Sequence, residues 1–145
     1  MNLKHKKVLA TGVFDILHKE HKNFLKKAKK LGNFLIIGIE SDKRVRELKG
    51  RGRPVNKQET RIKNLKKLEI AENVFVLPEG MGEKSVRERI IKKIRPDFLA
   101  VSNHTPFLNE KREIIEKYGG ELVVVHEENP EFSTSKLVGK VSPQC

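Results

Sequence analysis

Short apolar runs alternate along this chain with stretches whose apolar residues recur every three or four positions. Lys7-Val8-Leu9-Ala10 is a run of buried-strand type, ended by Thr11-Gly12. From Lys19 to Leu31 the residues Phe24, Leu25, Ala28 and Leu31 fall at helical spacing, with lysines on the opposite face and Gly32 as a stop. The next strand is predicted at Phe34 to Ile39. A basic loop is expected over Lys43 to Arg53, most flexible at Gly50 to Pro54, and then a helix from about Lys57 to Leu68. A strand at Val74 to Leu77 stops at Pro78. Glu83 to Ile94 is helical, with Val86, Ile90, Ile91 and Ile94 on one face. Phe98 to Val101 is a strand, Leu108 to Tyr118 a helix closed by Gly119-Gly120, and Glu121 to Val125 a final strand. A short helix is predicted near Thr134.

Five strands alternating with helices predict a single-domain, doubly wound, Rossmann-like α/β fold. Its sheet is five-stranded and parallel, with helices on both faces. The length of 145 residues accommodates one domain, with an ordered core expected over about residues 6–140. In such folds ligands bind outside the carboxyl ends of the strands, so the turn after the first strand is the first place to look for chemistry.

Charge changes this picture by adding an anionic partner. The chain carries 31 Lys and Arg against 19 Asp and Glu, a net of +12. The excess is not spread evenly: residues 1–70 hold 20 basic and 7 acidic residues, whereas residues 71–145 hold 11 and 12. No apolar run is long enough to span a bilayer, and no secretory h-region follows the basic N-terminus. One cysteine, Cys145, excludes a disulfide framework or a cysteine zinc site within the chain. A cytoplasmic protein is therefore expected, with no membrane association. Nucleic acid would account for the charge, but the chain has one Tyr and no Trp and shows no RNA- or DNA-binding motif, so that class is disfavoured.

The turn after the first strand reads Thr11-Gly12-Val13-Phe14-Asp15-Ile16-Leu17-His18-Lys19-Glu20-His21. It is neither a GxGxxG fingerprint nor a P-loop. It supplies a glycine at the strand end and two histidines at i, i+3, on one face of a starting helix. A helix N-terminus presents free N–H groups and partial positive charge, which suits phosphate. Two imidazoles there can donate to phosphate oxygens and stabilise charge that develops in a transition state. The bare pair is equally compatible with solvated surface histidines.

The wider segment, GVFDILHKEH, resembles the G-x-F-D-x-x-H-x-G-H signature of the cytidylyltransferase-like nucleotidyltransferases. The likeness continues through Ser41-Asp42, Val45, Leu48-Lys49-Gly50, Arg53-Pro54-Val55-Asn56 and Arg61 to Phe132-Ser133-Thr134-Ser135. The pattern is most similar to ADP-heptose-forming adenylyltransferase domains, archaeal FAD synthetases and glycerol-3-phosphate cytidylyltransferases. The resemblance implies transfer of an NMP unit from an NTP to a phosphorylated small acceptor, such as a sugar or polyol phosphate, with release of pyrophosphate. It favours AMP over CMP, and it implies Mg²⁺ accompanying the NTP. Catalytic roles fall by the match on His18, His21, Lys49 and Arg61. Nucleotide binding falls on Thr11, Gly12, Phe14, both histidines, Ser133, Thr134 and Ser135, and acceptor binding on Asp15, Lys43, Arg53 and His104. No metal ligand is assigned to the protein. A homodimer is suggested by analogy.

Two positions depart from the pattern. Glu20 stands where the signature has its second glycine, narrowing the approach to the helix start and adding a carboxylate near a triphosphate. His104, in Ser102-Asn103-His104, stands where relatives commonly place an acid. These departures keep a non-catalytic nucleotide-binding module open as an alternative, along with a cytidylyltransferase of the glycerol-3-phosphate type.

Overall fold

The computed structural model describes residues 6–126. The elements run β1 (Lys7–Gly12), α1 (Lys19–Lys29), β2 (Phe34–Ile39), α2 (Asp42–Lys49), α3 (Gln58–Lys67), β3 (Asn73–Val76), α4 (Lys84–Ile94), β4 (Phe98–Ser102), α5 (Leu108–Lys117) and β5 (Glu121–His126). All strand pairings are parallel, and the sheet order is β3-β2-β1-β4-β5. The order reverses at β1, which lies between β2 and β4, so β1 ends at the crevice where such folds bind ligands.

Both sheet faces are covered, which explains the continuous apolar runs of the central strands. On one face Val8, Ala10, Leu35 and Ile37 pack against Phe24, Leu25 and Ala28 of α1 and Leu65 of α3. On the other, Leu9, Ile36, Leu99 and Val101 pack against Ile91 of α4 and Ile114 and Ile115 of α5. The alternation of strand side chains thus divides one apolar run between two core layers. Gly38 is the exception in β2: a Cβ there would lie 2.7 Å from the Leu77 side chain, so the close β2–β3 packing requires its absence.

One expectation is corrected. The stretch expected to be a basic loop over 43–53 is helical through Lys49 and irregular only from Gly50. Ser41 caps this helix, its Oγ accepting from the Arg44 amide at 3.1 Å, and Gly50 ends it with φ of +91°. Only Val45 is buried within it, so no apolar periodicity betrays the helix in the sequence. The predicted helix near Thr134 lies outside the described residues.

Candidate functional site

The carboxyl ends of β1 and β2 are joined where the Glu40 amide donates to the Gly12 carbonyl at 3.0 Å. Beyond β1 the chain turns through Phe14, whose φ of +50° places it in the left-handed region. The buried Phe14 ring meets His21 edge-on, with centroids 5.5 Å apart. His21 in turn stacks on His18 at 3.9 Å between centroids and 26° between planes. The resemblance assigned Phe14 to the nucleotide pocket; its contact in the structure is with His21, which it orients.

His18 is itself the N-cap of α1. Its Nδ1 accepts from the Glu20 amide at 3.2 Å, the task usually done by Ser, Thr, Asp or Asn. An accepting Nδ1 puts the ring proton on Nε2, and that atom is buried with no hydrogen-bond partner. Burial lowers the His18 pKa from its ordinary value, with a smaller opposing effect from the Glu20 carboxylate. His18 is therefore a neutral donor with an unused N–H at a helix start. The Glu20 side chain that replaces the signature glycine is half-buried in the same first turn and acts on His18 through its charge.

Asp15 and Arg61 have protein partners where the resemblance implied ligand ones. Asp15, 1% exposed, accepts from the amides of Val55 at 2.7 Å and Asn56 at 2.8 Å and from Arg53 Nε at 3.3 Å. Arg61, fully buried, donates to the carbonyls of Asn56, Val13 and Glu40 and to Asp42 Oδ1 at 2.7 Å. Its guanidinium ties the turn after β1, the end of β2, the start of α2 and the loop before α3 to one point. A group with four N–H bonds to protein acceptors holds the site's shape rather than a phosphate. Arg53 is also buried, paired with Asp15, and keeps one unpartnered nitrogen, Nη2.

The remaining residues named from the sequence are distributed as follows. Lys49 is half-buried in the last turn of α2. Lys43 is exposed on α2 and pairs with exposed Glu79 at 3.3 Å. His104 is exposed on the turn after β4, where its amide donates to Ser102 Oγ at 3.3 Å. Ser133, Thr134 and Ser135 lie outside the described residues. Among the described residues no group of three or more His, Cys, Asp or Glu could hold a metal ion, and no helix is long and apolar enough to cross a membrane.

Sequence reading passed over four charged residues beside this corner: Glu40, Arg44, Arg87 and Lys111. Glu40 follows an apolar strand directly, and a polar residue at the carboxyl end of a strand is a usable signal in this fold. Lys111 had none to distinguish it among so many lysines. Burial pushes its amine down to about 8, helped by Arg87 and opposed by Glu40 and Glu110. Burial also raises the Glu40 pKa, against the pull of Arg44, Lys111 and Arg61.

A crevice at the sheet's switch point, with a neutral imidazole donor on a helix start, defines an α/β nucleotide-binding protein of the phosphate-handling kind. Residues 9–140 match the family described as cytidylyltransferase-like, and the chain belongs to that family, which makes it a nucleotidyltransferase. It is 36% identical over 137 residues to the bifunctional protein HldE of Cronobacter sakazakii and 34% identical over 142 residues to that of Helicobacter pylori strain Shi470. These alignments cover 94% and 98% of this chain, but 28% and 29% of the relatives. The chain thus spans under a third of the length of these curated relatives. Among solved structures it is similar to a lipopolysaccharide core biosynthesis protein from Thermoplasma volcanium, with TM-score 0.73 and 26% identity over 87% of this chain and all of the other. Pantothenate synthetase from Thermus thermophilus shares the fold at TM-score 0.65 and 13% identity, covering 92% of this chain and 61% of that one.

Proposed function

We propose that the protein transfers AMP from ATP to the phosphate of a small sugar or polyol phosphate, releasing pyrophosphate. A phosphate oxygen of the acceptor attacks the α-phosphorus, the bond from that phosphorus to the bridging oxygen breaks, and pyrophosphate leaves with the electron pair. No covalent enzyme intermediate is needed, so catalysis consists of aligning two anions and stabilising the charge that accumulates between them. The observation that carries the reading is the His18 Nε2–H, buried and unpartnered at the start of α1, with His21 stacked on it. A triphosphate oxygen supplies the missing acceptor, and the helix N-terminus adds favourable potential.

In this reading His18 and His21 contact the triphosphate, while Thr11 and Gly12 border it from β1. Lys49 and Lys43 neutralise phosphate charge from α2. Arg61, Asp15 and Phe14 are positioning residues that fix the two strand ends and the His21 ring. Ser133, Thr134 and Ser135 keep their implied role toward pyrophosphate, and His104 its implied role toward the acceptor. Mg²⁺ would be carried largely on the triphosphate oxygens, as is usual for this ion, where it neutralises charge on the nucleotide. The similarity to HldE over most of this chain favours ATP and a sugar phosphate. A homodimer in the cytoplasm is the proposed setting.

The test is direct binding of ATP, CTP, GTP and UTP with Mg²⁺, followed by pyrophosphate release with a panel of sugar and polyol phosphates. ATP is expected to bind most tightly and to be turned over. His18→Ala and His21→Ala are each expected to lower kcat/KM about 10²–10³-fold, the usual effect of removing one transition-state donor. Preference for CTP would move the reading to a cytidylyltransferase, and absence of any nucleotide binding would sink it.

A further inference from the structure

On the α4/α5 side of β1, opposite the face that packs on α1, lies a cleft with about 420 Å³ of empty space, part of it open to solvent. Its walls are mostly apolar, with Leu9 and Leu99 from the sheet and Ile91 and Ile114 from the helices. Thr11, Arg87 and Lys111 are its polar members, and Thr11 places it at the carboxyl end of β1, beside the turn that leads to the histidines. Two further charged groups border it. Glu40, at the end of β2, lies in the field of Lys111 and Arg44. Arg44 reaches the loop before α4, where a Cβ on Gly82 would stand 2.9 Å from its Nη2.

The cluster is close to charge-balanced. Arg87 pairs with Glu110, Arg44 lies 3.6 Å from Glu47, and Lys111 faces Glu40. Its hydrogen bonding is not balanced. Lys111 donates to Thr105 Oγ1 at 2.7 Å and Arg87 Nη1 to the Met81 carbonyl at 2.8 Å. The Nε atoms of Arg44 and Arg87 and the Oε1 of Glu40 are buried with no partner. Buried polar atoms of both kinds left unmet are costly unless something supplies their bonds.

The chemistry of these orphans selects the ligand. A second phosphate offers acceptors only, and it would set its charge against Glu40 with no surplus of cations to offset it. An apolar chain would leave all three atoms unmet. A hydroxyl both donates and accepts, so a row of hydroxyls satisfies a carboxylate and two guanidinium Nε–H groups together. The C–H faces of a sugar meet the apolar walls.

We propose that this cleft holds the carbon skeleton of the acceptor and reads a polyhydroxylated sugar, with Glu40 accepting from its hydroxyls and Arg44, Arg87 and Lys111 donating to them. The reading of the protein as a transferase of nucleotides supplies the reaction, but the cleft's preference for polyols stands on its own geometry. The low proton affinity of the Lys111 amine agrees with a group held away from water before a ligand arrives.

The experiment is calorimetric titration of the full chain with a panel of hexose 1-phosphates, heptose 1-phosphates and pentose 5-phosphates, against ethyl phosphate as the hydroxyl-free probe. Each is measured with and without a non-hydrolysable ATP analogue. At least one sugar phosphate is expected to bind about 100-fold tighter than ethyl phosphate, and Glu40→Gln and Lys111→Met are each expected to shrink that ratio about tenfold. The affinity of the ATP analogue checks that each variant folds. Equal binding of ethyl phosphate and every sugar phosphate overturns the assignment. So does a loss in the variants that falls equally on both probes. If no nucleotide binds but the sugar preference and its loss are seen, the transferase reading falls and the cleft assignment stands.

Discussion

Two clusters of charged residues meet at the carboxyl ends of β1 and β2, and they differ in one respect. Around Asp15 and Arg61 nearly every polar atom has a protein partner: two amides and a guanidinium on the carboxylate, three carbonyls and a carboxylate on the guanidinium. Around His18, and around Glu40 with Arg44 and Arg87, buried polar atoms are left without one. Satisfied networks rigidify, and unmet ones await a ligand. Residues of one motif therefore divide into those that build the crevice and those that work in it, and a signature alone does not show the division.

The contrast is broken most severely at Arg61. Replacement by Met removes a buried cation and strands Asp42 and three carbonyls. A loss of about 3–5 kcal/mol of stability is expected in urea unfolding, enough to unfold a marginal domain. If Arg61→Met instead left stability intact and abolished only ATP binding, Arg61 would be a ligand group after all.

A smaller effect sharpens the open side. The folded pKa of His18 is depressed, so the neutral ring's contribution to stability is present above the unfolded value of 6.5 and fades as pH falls below it toward the folded value. Protonation of Nδ1 would also remove the cap on α1. Unfolding free energies should fall between pH 7.5 and pH 5, and His18→Asn, which caps without titrating, should flatten that part of the profile. In NMR titrations the His18 pKa should rise when a triphosphate is bound, because the anion favours the charged ring.

The smallest effect belongs to Lys43. Its ion pair with Glu79 is solvent-exposed on both sides, so Lys43→Ala should change stability by less than about 0.5 kcal/mol. Any weakening of ATP or acceptor binding in this variant would then report phosphate contact rather than folding, and unchanged binding would remove Lys43 from the site.

Much of the fold was legible because the central strands are apolar throughout and the helices are apolar on one face, two periods that leave little ambiguity. Helix α2 was not legible, since a single buried residue, Val45, leaves no period to read and its cap and stop are short-range signals within a basic run. At the site, the histidine pair stood out by spacing and resemblance. The roles of Asp15 and Arg61 did not, because a buried carboxylate and a ligand-binding one are the same letter until the atoms around them are known. Glu40 and Lys111 are 71 positions apart, and only the crossover from one side of the sheet to the other brings them into one field.

The sequence by itself determined the order of elements, the parallel sheet and the position of the phosphate-binding turn, because these follow from local periodicity and from the start of one helix. The tertiary structure alone decided which charges are saturated and which remain open. Hydrogen-bond satisfaction depends on groups brought together from distant segments, and no local pattern encodes it.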